Sequence, residues 1–453
     1  MCQLFLTLLG DTLPAAVGGS DVPGGARGPY GAVVTATSSP DARRLACVDI
    51  GSTWTKAALV DAGSGELLAT RQAPTSSDVV PGVLAATEGW DAEVRACSSA
   101  GGGLRLAVVG YEQLISAEAG HRAALSAGAR VVHVAAGRLD GDGLAALAAA
   151  APDVVLLVGG TDGGDATVLR HNAGALASAA GRVPVVLAGN VQVREEVAAV
   201  LAAGGCPVTA CDNVLPDIGE LAPESARAGI RAVFLEHVIG GERLSADPRL
   251  QRWVRAVTPD AVLDGVVALA ALRSGADVPG VLVLDVGGAT TDVYCVPDLD
   301  PEQAALRREA VGVPAHRRTV EGDLGVHHSV GDLLAAARAE GLPPTGEDAL
   351  ALGEAAATVA LRRHLRAEAA YGAGGASARG VGLVVLSGGV FRHADAGALD
   401  AVVSRLAADR GGAAGVLAGT RVVVDRRYVL AAAGLLAGTH PVATAELLQS
   451  LLT

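Results

Sequence analysis

The sequence predicts an α/β protein built on parallel sheets, and three observations carry that reading. Between residue 104 and about residue 214, short apolar runs alternate with helical stretches, the pattern of βαβ units. Two Asp-x-Gly turns, Asp49-Ile50-Gly51 and Asp285-Val286-Gly287, each stand between two apolar runs of strand length. A further apolar run, residues 381–386, ends in Ser387-Gly388-Gly389.

In chain order, residues 1–44 are rich in Gly, Pro, Ser and Ala without periodicity and read as a flexible leader. Its apolar start has no basic n-region and no convincing cleavage site, so it is not read as a signal peptide. Order begins at Leu45, where residues 45–50 and 55–60 make a hairpin-like start to a sheet. The alternating region then offers strands at 106–109, 131–134, 154–158 and 183–188. Helices fall at 116–127, 144–150, 167–180 and 194–203. Residues 220–272 read as mainly helical, with Pro223, Pro248 and Pro259 near the starts. A second strand–turn–strand unit spans 281–286 and 291–296. Helices are expected over 345–371, 395–408 and 428–437.

The 453 residues include 60 Gly but only 3 Trp, 5 Tyr and 3 Phe, and the net charge is −13. Nucleic acid is a poor partner for such a chain, because phosphate neutralisation and base stacking both lack donors. No stretch reaches about 18 apolar residues free of Gly, Pro and charge, so no transmembrane helix is expected. Six scattered cysteines make no disulfide framework and predict a reducing, cytoplasmic setting. Cys206 and Cys211 lack the further ligands a metal site needs. Lys56 is the one lysine in the chain.

The chemistry concentrates at the strand ends. Asp49 is placed to hold magnesium through water, since Mg²⁺ keeps several waters and takes one or two carboxylates. Gly51 lets backbone approach a phosphate, and Ser52 and Thr53 add hydroxyls and amides. Lys56 falls on the returning strand, where alternation allows either a phosphate counter-charge or a solvent-facing side chain. Asp285 repeats the logic of Asp49, with Gly287, Gly288, Thr290 and Thr291 around it. Gly388 and Gly389 allow a base and ribose to lie against backbone. One such turn is most often a plain hairpin; the ordered set of three points to a nucleotide. Elsewhere, Asp162 and Asp165 read equally as Asx-turn residues or as partner contacts. Glu321 and Asp323, near His327-His328, read as a solvated loop ahead of a metal site. The Arg362-Arg363-His364 and Arg426-Arg427 runs read as solvated faces.

The three turns resemble the phosphate-1, phosphate-2 and adenosine motifs of the actin/Hsp70/sugar-kinase ATPase superfamily. Tyr428-Val429-Leu430-Ala431-Ala432-Ala433-Gly434 resembles its second connecting helix. Several longer stretches resemble one group within it: Cys97-Ser98-Ser99-Ala100-Gly101-Gly102-Gly103-Leu104-Arg105, Gly159-Gly160-Thr161-Asp162-Gly163-Gly164-Asp165, Ala188-Gly189-Asn190, Asp285 to Val293, and Val320-Glu321-Gly322-Asp323-Leu324-Gly325. That group is the MutL-type accessory proteins of methylaspartate (glutamate) mutase. The resemblance implies two ribonuclease-H-like domains of the actin/Hsp70 type that clamp ATP and Mg²⁺, with an inserted parallel βαβ region. Along the chain it implies a first domain over 45–103, an insertion over 104–280, a second domain over 281–420 and a connecting-helix region over 421–453. It further implies that Asp49 and Asp285 organise magnesium and water. Gly51, Ser52, Thr53, Lys56, Gly287, Gly288, Thr290 and Thr291 would hold phosphates, and Gly388 and Gly389 the adenosine. The implied partner is an adenosylcobalamin-dependent mutase whose damaged cofactor is released. A sugar- or polyol-type kinase and a nucleotide-insensitive mutase scaffold are the competing expectations.

Overall fold

The computed structural model describes residues 44–100, 104–112, 129–179, 183–218, 220–239, 244–297, 317–342, 348–371, 381–409 and 419–452, with Ala117, Ala119, Gly120, Ala123, Ala124, Gly346 and Leu417 between them. The expected leader up to residue 43, Gly101 to Gly103 and most of the helix expected over 116–127 lie outside the described residues.

The chain opens with a hairpin. β1 (Arg44–Ile50) and β2 (Trp54–Asp61) run antiparallel, which sets Asp49 opposite Lys56. β3 (Leu67–Pro74) extends the hairpin, and β4 (Glu93–Ser98) returns parallel to β1 after the short helix α1 (Val80–Ala86). The chain then leaves this sheet for an all-parallel one. Its strands are β5 (Arg105–Gly110), β6 (Arg130–Ala136), β7 (Val154–Leu157), β8 (Val185–Leu187) and β9 (Val208–Ala210), in the order β6-β5-β7-β8-β9. Helices α2 (Gly141–Ala149), α3 (Thr167–Ser178), α4 (Arg194–Ala203) and α5 (Glu224–Val233) alternate with or follow these strands, as the βαβ pattern requires.

After α6 (Arg249–Trp253), the short strand β10 (Val254–Val257) pairs with β4 and completes a sheet of order β10-β4-β1-β2-β3. α7 (Thr258–Leu272) follows it. A strand within the stretch 104–280, which the sequence assigns to the insertion, thus returns to the first sheet. The reason it does not show in the sequence is local: Val-Arg-Ala-Val is only four residues long and sits between two helices, so its pattern merges with theirs.

The second half repeats the first. β11 (Gly280–Val286), β12 (Thr291–Val296) and β13 (Arg317–Glu321) are antiparallel neighbours. The helices α8 (Val330–Ala339) and α9 (Ala349–Tyr371) lead to β14 (Val381–Ser387), parallel to β11. The short α10 (Gly389–Arg392) and α11 (Ala396–Ala408) precede β15 (Arg421–Val424), parallel to β14. The order β13-β12-β11-β14-β15 matches that of the first sheet in both position and strand sense. α12 (Val429–Ala437) follows its fifth strand just as α7 follows β10, and α13 (Pro441–Gln449) ends the fold. This is a duplicated ribonuclease-H-like architecture carrying an inserted parallel sheet, the fold class expected from the sequence.

The two halves share a core. Leu45, Val60, Val266, Leu269, Val283, Tyr294, Leu383, Leu430, Leu436 and Leu448 bury one face of each sheet against α7 and α12. The helices cross at glycines, where no side chain fits. A Cβ on Gly434 would fall onto the Ala261 carbonyl, and one on Gly265 onto the Leu430 carbonyl. One face of the inserted sheet joins the core of the first half, since Val48 and Ile50 belong to one apolar cluster with Leu106, Leu156, Val186 and Ile230, while Val109, Val155, Leu157 and Leu187 on its other face pack with Leu169 and Leu201 in a core of their own.

The Arg362-Arg363-His364 run, expected at a solvated face, is instead packed inside. Arg362 donates to both carboxylate oxygens of Asp409 (2.9 and 2.5 Å). Arg363 donates to Glu321 at 2.7 Å and to Asp323 at 2.8 and 2.9 Å, so these carboxylates hold an arginine rather than a metal or solvent. His364 is fully buried, with Nδ1 3.2 Å from the Thr319 hydroxyl.

Two predictions follow from this packing. Gly434→Ala forces α7 and α12 apart and lowers the melting temperature by several degrees, at a cost of about 1–3 kcal/mol. Gly438→Ala, whose Cβ meets nothing, leaves thermal unfolding unchanged. Burial, with Arg317 adding to it, pushes the His364 imidazole down to about 3. The unfolded chain takes up that proton near the ordinary value, so stability is full above about pH 6.5 and falls as pH drops toward 3. His364→Gln removes about 2 kcal/mol of the stability difference between pH 7 and pH 5, measured by denaturant unfolding.

Candidate functional site

A cavity of about 440 Å³ opens where the ends of β1, β11 and β14 converge on the first turn of α7. Its volume is within the range of small-molecule sites. Asp49, Gly51, Ser52, Thr53, Lys56, Asp285, Gly287, Gly288, Thr290, Gly388 and Gly389 all line it. Residues up to 340 positions apart in sequence are thereby brought to one wall or another of a single cleft. Thr291 does not join them: it is buried and donates its hydroxyl to the Leu324 carbonyl at 2.7 Å.

The register opposite Asp49 decides the orientation of Lys56. Its Nζ donates to Asp49 Oδ2 at 3.1 Å, so the side chain faces the cleft and not solvent. Asp49 Oδ1 accepts from the Thr258 hydroxyl at 2.7 Å. Burial works against the Lys56 charge, but Asp49 and, more weakly, Asp285 outweigh it and hold the ammonium above its ordinary range. Asp285 sits beside Ser387 in β14 and opposite Asp292 in β12. Burial pushes its carboxyl up to about 6, against the pull of Lys56. Asp292 is neutralised separately, accepting from Arg318 Nε and Nη2 at 3.1 and 2.7 Å.

The two Asp-x-Gly turns have the same build. Gly51 N donates to the Trp54 carbonyl at 3.2 Å, and Gly287 N to the Thr290 carbonyl at 2.9 Å. They also touch across the cleft: a Cβ on Gly288 would lie 2.5 Å from Thr53 Oγ1. The Gly288 carbonyl accepts from His327 N and His328 N at 2.9 and 2.8 Å, which fixes this turn from behind. Gly388 takes φ 117°, and a Cβ there would collide with the Val286 carbonyl. The third turn is thus glycine for steric reasons, and leaves bare backbone beside the cavity.

Sequence reasoning missed several cleft residues. Thr258 reaches Asp49 only because β10 joins the first sheet, and nothing local signals that. Asp292 stood within a quoted motif but without a role, and its partner Arg318 lies on a strand too charged to read as one. Asp162 and Asp165 lie at the end of the inserted sheet and do not line the cavity. Asp162 accepts from Asn213 Nδ2 at 2.9 Å and Val191 N at 3.1 Å. Asp165 accepts from Thr167 N at 2.8 Å at the start of α3, the Asx-turn role. Cys206 and Cys211 are free and buried.

Asp49 and Asp285 give the cleft the two hard oxygen donors that Mg²⁺ accepts alongside waters. Both Asp49 oxygens already accept hydrogen bonds, which suits a metal held through its water shell. Among the described residues, no group of three or more His, Cys, Asp or Glu is arranged as a metal cage. None of the described helices is long and apolar enough to cross a membrane.

The family model for MutL protein matches residues 45–349 and 346–452. This chain belongs to the MutL protein family. A MutL relative, "Protein MutL" of Clostridium tetanomorphum, is 35% identical over 295 residues, covering 62% of this chain and 64% of that protein. The match therefore spans less than two thirds of that relative's length. Among solved structures, a nucleotide-free acetone carboxylase is similar over 87% of this chain and 70% of its own, with 14% identity and a TM-score of 0.33. A glycerol dehydratase reactivase is similar over 87% and 99%, with 14% identity and a TM-score of 0.31. At such scores the fold assignment rests on the repeated strand order of this MutL-family chain itself.

The contact between the turns gives a prediction. Gly288→Val drives Thr53 away while the sheets stay intact, so backbone amides of residues 51–54 exchange hydrogen faster than in the wild type. Unchanged protection there would show that the turns do not touch.

Proposed function

We propose that this protein binds ATP with Mg²⁺ in the cleft and uses it to act on an adenosylcobalamin-dependent mutase, releasing damaged cofactor from it. The observation that carries the nucleotide reading is the convergence of two equivalent strand–turn–strand units, each delivering an Asp and a glycine turn to one cavity. Membership of the MutL family and its resemblance to mutase accessory proteins support the choice of partner.

The residues divide the work by what they can offer. The amides and hydroxyls of Gly51, Ser52 and Thr53 face phosphate oxygens from one side, with Gly287, Gly288 and Thr290 on the other. Lys56 adds positive charge on the first side. Gly388 and Gly389 leave room for adenosine against the end of β14. Bound magnesium supplies neutralisation of phosphate charge, with Asp49 and Asp285 holding its waters. Asp285, whose carboxyl burial pushes up to about 6, orients the attacking water and accepts its proton.

Clamp motion has a place to occur at the Gly265 and Gly434 crossing, where backbone meets backbone. Driving such a clamp from 1:99 to 99:1 takes about 5.5 kcal/mol of differential binding, which phosphate contacts from both halves can supply.

The test is reconstitution with a mutase carrying an inactive cobalamin. ATP and Mg²⁺ are expected to release the bound corrinoid, and Asp285→Ala to lower ATP hydrolysis by at least about 100-fold with its melting temperature preserved. Wild-type turnover in that variant would contradict the role of Asp285. Phosphorylation of an added sugar or polyol would favour a kinase instead.

A further inference from the structure

Tyr428 stands at the start of α12 with φ 52° and ψ 44°, the left-handed region that side-chain-bearing residues rarely occupy. Among the described residues only Ala151 shares a positive φ without being glycine. Glycine would take this backbone with less strain, so the tyrosine side chain is held here at a conformational cost. Two cations lie over the ring: Lys56 Nζ at 4.6 Å and the Arg392 guanidinium at 4.3 Å from its centre. Lys56 belongs to β2 of the first half and is paired with Asp49. Arg392 ends α10 of the second half, directly after the Gly388-Gly389 turn, and a Cβ on Gly389 would lie 3.6 Å from the Tyr428 hydroxyl. Asp425 accepts from Val429 N and Leu430 N at 3.0 and 3.2 Å and so fixes the start of the helix that carries the ring.

We infer that Tyr428 is a positioning residue of the cleft: its ring sets where the Lys56 ammonium and the Arg392 guanidinium stand before phosphate enters. The inference rests on the nucleotide reading of the site for its purpose, but its geometry does not. Two like charges drawn to one site repel, and the negative face of an aromatic ring offsets that repulsion. Asp49 holds the Lys56 ammonium by a hydrogen bond at 3.1 Å and the ring lies against it at 4.6 Å. An entering triphosphate competes with both for the ammonium. Any displacement of Lys56 is then felt by a residue whose backbone begins the helix that crosses α7.

Because Lys56 is the one lysine in the chain, acylation by an amine-reactive ester followed by peptide mass spectrometry reads this ammonium alone, without nucleotide. Tyr428→Phe keeps the ring and is expected to react at the wild-type rate. Tyr428→Leu and Tyr428→Gly are expected to react about tenfold faster. Tyr428→Gly relieves the backbone strain and Tyr428→Leu does not, so equal acceleration in both, with each variant shown to be folded at the assay temperature by its melting curve, separates a ring effect from a folding defect. Wild-type reactivity in the Gly and Leu variants would overturn the inference, as would equal acceleration in all three. In a second arm, ATP with Mg²⁺ protects Lys56 of the wild type. Failure of that arm alone overturns the nucleotide reading and leaves the ring's hold on Lys56 standing.

Discussion

The ion pair between Lys56 and Asp49 is the constraint on which the cleft depends. Burying a charge is costly unless it is paired and hydrogen-bonded, and here one ammonium must serve carboxylates from two sheets. Asp49 is satisfied twice, by Lys56 and by the Thr258 hydroxyl. Asp285 has only a share of the same cation, and burial leaves it raised to about 6. Lys56 and Asp292 occupy equivalent positions in the two halves, each opposite the turn aspartate of its own hairpin. The duplication is therefore symmetric in backbone and opposite in charge. Asp292 needs an arginine of its own, Arg318, and turns away from the role that Lys56 plays.

Backbone proximity is the second condition. The halves meet backbone to backbone where Gly265 lies against Leu430 and Gly434 against Ala261, and the bare Gly288 turn lies against the Thr53 side chain. Around this helix crossing, one apolar cluster binds α7 and α12 to the inner faces of both sheets. A clamp needs such a pivot, since small side chains let helices shift without unpacking a large core. One face of the inserted sheet shares its apolar cluster with β1, the strand that carries Asp49. It is thus packed onto the half that holds the ion pair.

Much of the scaffold was legible because buried strands are plainly apolar. β1, β11 and β14 all showed as runs ending in the turns that line the cleft, and β2 and β12 as runs starting from them. β3, β4 and β13 did not, because residues such as Arg71, Glu93, Arg95 and Arg317 interrupt their pattern. The orientation of Lys56 was undecidable from alternation and became fixed only by its register against Asp49. Arg362, Arg363 and His364 misled for a related reason. The carboxylates that pair with the two arginines, Asp409 and Glu340 for Arg362, Glu321 and Asp323 for Arg363, lie 22 to 47 positions away, so neutralisation inside the fold leaves no local trace. Tyr428 was visible only as the first residue of a helix; its left-handed backbone and its two cations are tertiary facts.

The most direct test of the account is calorimetric titration of the chain with ATP in the presence and absence of Mg²⁺, alongside Lys56→Met. The account predicts saturable, magnesium-dependent binding in the wild type that Lys56→Met weakens by about tenfold or more. Absence of heat at millimolar nucleotide in the folded wild type would contradict it.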